Sequence, residues 1–224
     1  MTEGKYYRWL LPLFACLLAA CGDDEYHYPS VKLEFLTAHA GADGSLQSVL
    51  TDEGKTYRVV EDATNSVIDA NSSVRIVGNY GPATASDGIS GVKLYAAMRT
   101  VSPVPQPAGE FEGGVKTDPA DVLGIWMGLD YLNITLNIKA QGGRHTFHFI
   151  EDKVASDVEA GHKEVYLTLY HDAAHDTGYT QRAYLSVPLR QYAAEGVEKV
   201  TVHFSLHTYS GEMKTYDFDY VPLY

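Results

Sequence analysis

Two histidines and two aspartates fall within six residues, His171-Asp172-Ala173-Ala174-His175-Asp176. Imidazole nitrogens and carboxylate oxygens are good ligands for divalent metals, and His171 and His175 would share one face of a helix. The stretch, however, follows the alternating run Val165, Leu167 and Leu169, and Gly178 comes soon after it. It therefore reads as a loop between strands, where polar residues are ordinary turn formers. No third histidine is placed to complete a ligand set, and the loop is expected to carry no metal.

The other candidates weaken in the same way. His203 and His207 lie on the strand face opposite Val202, Phe204 and Leu206, which predicts two exposed imidazoles. His145 and His148 differ by an odd step and point to opposite faces. Glu151 and Asp152 are adjacent and diverge, whereas a glycosidic carboxylate pair must converge to about 5–10 Å. The sequence contains no nucleophile elbow, phosphate loop, HExxH or dinucleotide fingerprint. No catalytic residue and no cofactor is expected. The aromatics Tyr166, Tyr170, Tyr216, Phe218 and Tyr220 alternate along strands. Either they present rings outward, to stack on sugars or anchor a partner, or they complete a core.

The elements that must position these groups are strands. Val31, Leu33 and Phe35 alternate with Lys32 and Glu34, and residues 46–51 and 55–60 flank the turn Asp52-Glu53-Gly54 as a hairpin. Val74, Ile76 and Tyr80 mark a fourth strand. After the loop GPATASDGISG, residues Val92, Leu94, Ala96 and Met98 mark a fifth. Five short strands over residues 31–102 fit a small barrel of the oligonucleotide/oligosaccharide-binding (OB) type. Pro103, Pro105 and Pro107 then break the pattern, so 103–113 reads as a semi-rigid linker. Residues 114–224 hold at least six more strands, with Leu132, Ile134, Leu136 and Ile138 alternating most cleanly, and a short helical turn over 190–195. Without crossover helices this is an antiparallel β-sandwich. The expected fold class is all-β, a small OB-like barrel followed by a sandwich.

The first 30 residues set location. A basic lead with Lys5 and Arg8 precedes an apolar run from Trp9 to Ala20, too short for the roughly 20 residues of a membrane-spanning helix. It reads as a signal peptide over 1–20. Leu18-Ala19-Ala20-Cys21 looks like a lipobox, with Cys21 acylated and residues 21–30 as a tether. Two or more acyl chains give stable anchoring. The only other cysteine, Cys16, leaves with the signal, so disulfides, thiolate metal sites and cysteine nucleophiles are excluded. The net charge of -12 opposes contact with phosphate backbones, and no nucleic-acid partner is expected.

Four stretches carry a resemblance: the lipobox followed by Asp23, Asp24 and Glu25, the hairpin TDEGKTY (51–57), GIWMGLDYLNITLN (124–137) and SGEMKTYDFDY (210–220). Together they resemble the NigD-like lipoproteins of Bacteroidetes. The resemblance implies an OB-like domain followed by a β-sandwich and an association with a bacteriocin operon, and it implies no catalytic residues. Acids just behind the lipidated cysteine look like the surface-export signal of these bacteria. The expected protein is thus an outer-membrane lipoprotein facing outward, the periplasmic face being the alternative. Its expected role is a non-enzymatic binding module for a glycan or an envelope protein. The alternatives are a structural or protective envelope component, an accessory in bacteriocin immunity, and a metal-dependent hydrolase.

Overall fold

The computed structural model describes residues 31–157 and 159–222. The expected signal peptide, the tether and Cys21 lie outside them.

The first half forms β1 (Lys32–Ala40), β2 (Leu46–Thr51), β3 (Thr56–Asp62), β4 (Ser73–Thr84) and β5 (Ser90–Arg99). They close into a barrel in the order β1-β2-β3-β5-β4, the parallel pairing of β3 with β5 completing the ring. Gly54 turns the β2–β3 hairpin at φ 80°, a left-handed conformation that glycine adopts without a Cβ penalty. Its N–H donates to the Thr51 carbonyl. The expected loop over 81–91 is mostly strand, because Gly81 to Thr84 pair with residues 90–93 across the β4–β5 hairpin.

Strand β1 faces the other way from its first reading. The barrel interior takes Leu36 and Ala38, which are fully buried, together with Val49, Ile76, Tyr80 and Leu94. Leu33 and Phe35 sit on the outer wall. The sequence is apolar at both 35 and 36 because both sides of the strand are covered there. That outer apolar row becomes important below.

The second half supplies β6 (Gln106–Pro107), β7 (Asp121–Gly128), β8 (Tyr131–Ala140), β9 (Thr146–Asp157), β10 (His162–Asp172), β11 (Tyr179–Pro188), β12 (Lys199–His207) and β13 (Met213–Tyr220). They form two sheets, β13-β12-β10-β9-β6 and β11-β8-β7. Pairing is antiparallel except for β6 with β9 and β10 with β12. The second exception follows from connectivity: β11 lies in the opposite sheet, so the chain crosses over and returns in the same direction. Leu132, Ile134 and Leu136 meet Val165, Leu167, Val202 and Phe204 between the sheets, all essentially unexposed. Full burial of each such side chain contributes about 1.5–3 kcal/mol. Part of the expected linker joins this half, since Gln106 and Pro107 pair with Ile150 and Glu151. The expected helical turn is a 3₁₀ turn over Arg190–Tyr192.

Candidate functional site

The face of β8 and β11 turned away from the sandwich core carries Asn133, Thr135, Tyr184 and Ser186. A polar row of this kind would normally be solvated, yet Asn133 and Ser186 have no exposed surface. The barrel covers them. Arg75 of β4, 4% exposed, reaches from the barrel wall into that row. Its Nε donates to Ser186 Oγ at 3.1 Å, Nη1 to Thr37 Oγ1 at 3.3 Å, and Nη2 to both Asp52 Oδ1 and Asn133 Oδ1. The Asn133 amide in turn donates to Asp52 Oδ2 at 2.7 Å. The guanidinium also lies over the Tyr131 ring, 4.4 Å from its centroid. A buried cation is tolerated only when paired and well hydrogen-bonded, and this one is paired with Asp52 and uses four of its five N–H donors. The chain between the halves is also pinned, with Val101 N–H donating to the Tyr184 carbonyl and Ser186 N–H to the Val101 carbonyl.

Beside this clasp the two halves part and leave a groove of about 580 Å³. Phe35 on the barrel wall meets Trp126 of β7 edge-on, ring centroids 5.3 Å apart, and Tyr184 at 6.0 Å. Strand β7 carries a bulge between Val122 and Gly124, and the extra residue Leu123 turns outward. A Cβ on Gly124 would stand 3.2 Å from the Trp126 ring, so the glycine makes room for the ring and keeps the groove floor open. Leu33 is 61% exposed, Leu123 52% and Trp126 40%. Large apolar side chains left in water around one concavity mark an interaction site. The three carboxylates on its walls each have a cation: Glu34 has Lys32, Asp52 has Arg75 and Glu53 has Lys55. Arg182 on β11 also lines the groove, is exposed, and makes no ion pair among the described residues.

The residues first singled out are placed elsewhere. His171, one residue before the end of β10, is fully buried, its Nδ1 donating to the Asp118 carbonyl at 3.0 Å and its Nε2 facing His145 Nδ1 at 2.9 Å. Burial pushes the His171 imidazole below its ordinary value. His175 is exposed in the following loop, on left-handed backbone at φ 61°, so the two histidines do not share a face. Asp176 accepts the backbone N–H groups of Gln141, Gly142 and Gly143, which hold its carboxyl below the usual range. Among the described residues no three His, Asp or Glu side chains come together as a metal-holding group. A second concavity, of about 570 Å³, opens beside this loop. Its polar groups are largely engaged with one another: Lys139 Nζ bonds Thr180, Lys139 N–H bonds the Tyr209 hydroxyl, and Asp118 accepts from Ala173 N–H. His148 packs against the Phe111 ring rather than with His145. Glu151 and Asp152 do diverge, one accepting from Tyr192 and the other from Thr168.

Strand register decides which way the aromatics and His203 face. In the β12–β13 pair, Val200, Val202 and Phe204 lie opposite Tyr220, Phe218 and Tyr216. Opposed residues share a face, so these rings face the core; Tyr220 is 2% exposed and Tyr216 half-buried. Tyr170 is buried under Phe111, stacked at 4.7 Å. Tyr166 does lie on the outer face, but its ring stacks on His203 at 4.4 Å. His203 is accordingly not a free solvated imidazole: it is half-buried and bonds Asp217 at 2.7 Å.

The family model for the NigD-like C-terminal beta sandwich domain matches residues 102–220. The crystal structure of a NigD-like immunity protein from Bacteroides caccae is 40% identical, covers 88% of this chain and 100% of its own, and superposes with a TM-score of 0.74. The chain belongs to the NigD-like family. A protein of unknown function from Bacteroides vulgatus (18% identity, 87% and 92% coverage, TM-score 0.64) shares the fold. So does a candidate lipoprotein from Bacteroides fragilis (10%, 87% and 100%, TM-score 0.56). A search of the curated proteins finds no match. In this NigD-like chain the stretch GIWMGLDYLNITLN supplies Gly124, Trp126 and Thr135 to the groove, and Asn133 and the Tyr131 ring to the clasp. Their juxtaposition with β1 and β4 depends on how the barrel docks, which no local pattern encodes.

Proposed function

We propose that this NigD-like chain is a lipid-anchored envelope protein that works by binding, without catalysis, through the groove between barrel and sandwich. The observation that carries the reading is the ring of exposed apolar side chains, Leu33, Leu123 and Trp126, around a concavity held rigid by the Arg75 clasp. Water-exposed rings and aliphatics cost solvation free energy unless something covers them in use. Among the described residues no helix is long and apolar enough to cross a membrane. The membrane connection is assigned to Cys21, in the outer membrane and facing outward, a reading that rests on the lipobox and the acids behind it. The test is a chromosomal Leu123→Asp substitution, which changes an exposed side chain and spares both cores. It should reproduce the phenotype of gene deletion at unchanged protein abundance. If the deletion has a phenotype and Leu123→Asp has none, the groove is not the working surface.

The name of the 40%-identical relative, an immunity protein, favours a second reading, in which the bound partner belongs to a bacteriocin system. That reading expects deletion strains to become sensitive to bacteriocin-producing neighbours, with resistance restored by the wild-type gene and not by the Leu123→Asp form.

A further inference from the structure

Resting on the groove reading above, we infer that the groove's ligand is a single-chain amphiphile with an anionic head, of the chemical class of a medium-chain carboxylate. Three observations carry the assignment. The walls carry an apolar stretch, Leu33 and Phe35 on one side and Leu123 and Trp126 on the other, and the volume of about 580 Å³ lies within the roughly 300–1,000 Å³ of small-ligand sites. The charged wall groups are already matched in pairs, except that Arg182 makes no ion pair among the described residues. The sheet register then sets the length. Trp126 lies in the row of Asn133 and Ser186, Gly124 in the row of Thr135 and Tyr184, and Arg182 in the row of Asn137. From residue 133 to 137 the strand rises about 13 Å. An acyl tail lying from Trp126 past the open floor at Gly124 would bring its carboxylate to the guanidinium, a charge-assisted contact that Arg suits. A peptide crossing the same face would bring a backbone donor and acceptor at every residue, and the apolar stretch of the walls offers them few partners. A second copy would set one concave surface against another and leave both unfilled.

The sequence provides its own reporter. The chain has two tryptophans, Trp9 and Trp126, so in material from residue 22 onward, which contains both cores, the tryptophan emission, excited selectively above the tyrosine band, comes from the groove alone. Sodium dodecanoate, titrated below its micellar threshold, should shift Trp126 emission saturably. Arg182→Glu should weaken that binding at least about tenfold while leaving binding of the neutral dodecanol unchanged. Leu123→Asp should weaken both, and dodecyltrimethylammonium should bind no better than dodecanol. The proposal falls if dodecanoate leaves the emission unmoved, if Arg182→Glu binds it as wild type does, or if the cationic amphiphile binds equally well. It also falls if emission moves with protein concentration instead, which would mean that a second copy covers the groove. Failure here, with a Leu123→Asp phenotype in cells, would remove the ligand class and leave the binding role standing.

Discussion

Replacing Arg75 with methionine isolates what the clasp contributes. The substitution keeps the unbranched stem and removes five donors. Asp52, Asn133, Ser186 and Thr37 all lose a partner at once. Removing one member of a buried ion pair costs about 3–5 kcal/mol, chiefly because the other charge is stranded. Asp52 is not completely stranded: its side chain is 18% exposed and keeps the Asn133 amide. The expectation is thus the lower end, about 3 kcal/mol. In urea, with a slope of about 2–3 kcal/mol per molar, the unfolding midpoint should fall by about 1–1.5 M. Arg75→Met with Asp52→Leu should cost less than the two single changes added together, since the pair fails as a unit. A midpoint shift below about 0.3 M for Arg75→Met would refute the view that the clasp fixes barrel to sandwich.

Further expectations follow from other parts of the chain. Cys21→Ala should move the protein from the membrane fraction into soluble or unprocessed material, read by detergent partitioning; identical partitioning of both forms would contradict the anchor. Burial keeps the His171 imidazole below its ordinary 6.5, so the unfolded chain takes up a proton that the fold resists. Stability from this group is complete above about pH 6.5 and declines as the pH falls below it. Melting temperatures between pH 7.5 and 5 should show that decline, and His171→Gln should flatten it. The sandwich core draws on residues 101–220, and a fragment of residues 101–224 should unfold cooperatively by calorimetry. A fragment with no transition would place the division between the halves elsewhere.

The strands were legible because their apolar residues alternate, and Leu132 to Ile138 became β8 with the inward face the pattern implies. Faces were less legible wherever both sides of a strand are covered. Asn133 and Ser186 alternate with leucines and valines as solvent-facing residues do, yet the barrel buries them. Leu33 and Phe35 look like core and instead line the outer wall. The signal that could have found the clasp is Arg75, unread in the pattern, a lone cation among Val74, Ile76 and Val77, since a charge in an apolar strand must have a partner. The His145–His171 contact was out of reach, because it depends on how the chain entering β9 meets the end of β10. The inward turn of Tyr216 and Tyr220, by contrast, follows from the β12–β13 register once Ser210-Gly211 is taken as the hairpin turn.

The most direct test of the groove as the working surface is site-specific photocrosslinking in intact cells, with the photoreactive residue at 123 in one strain and at 154 in another. Both positions are exposed, at 52% and 40%, but Val154 lies on β9 in the other sheet. An adduct, lipid or protein, that forms at 123 and not at 154 is the predicted result. No adduct at 123, or the same adduct at both positions, would contradict the account.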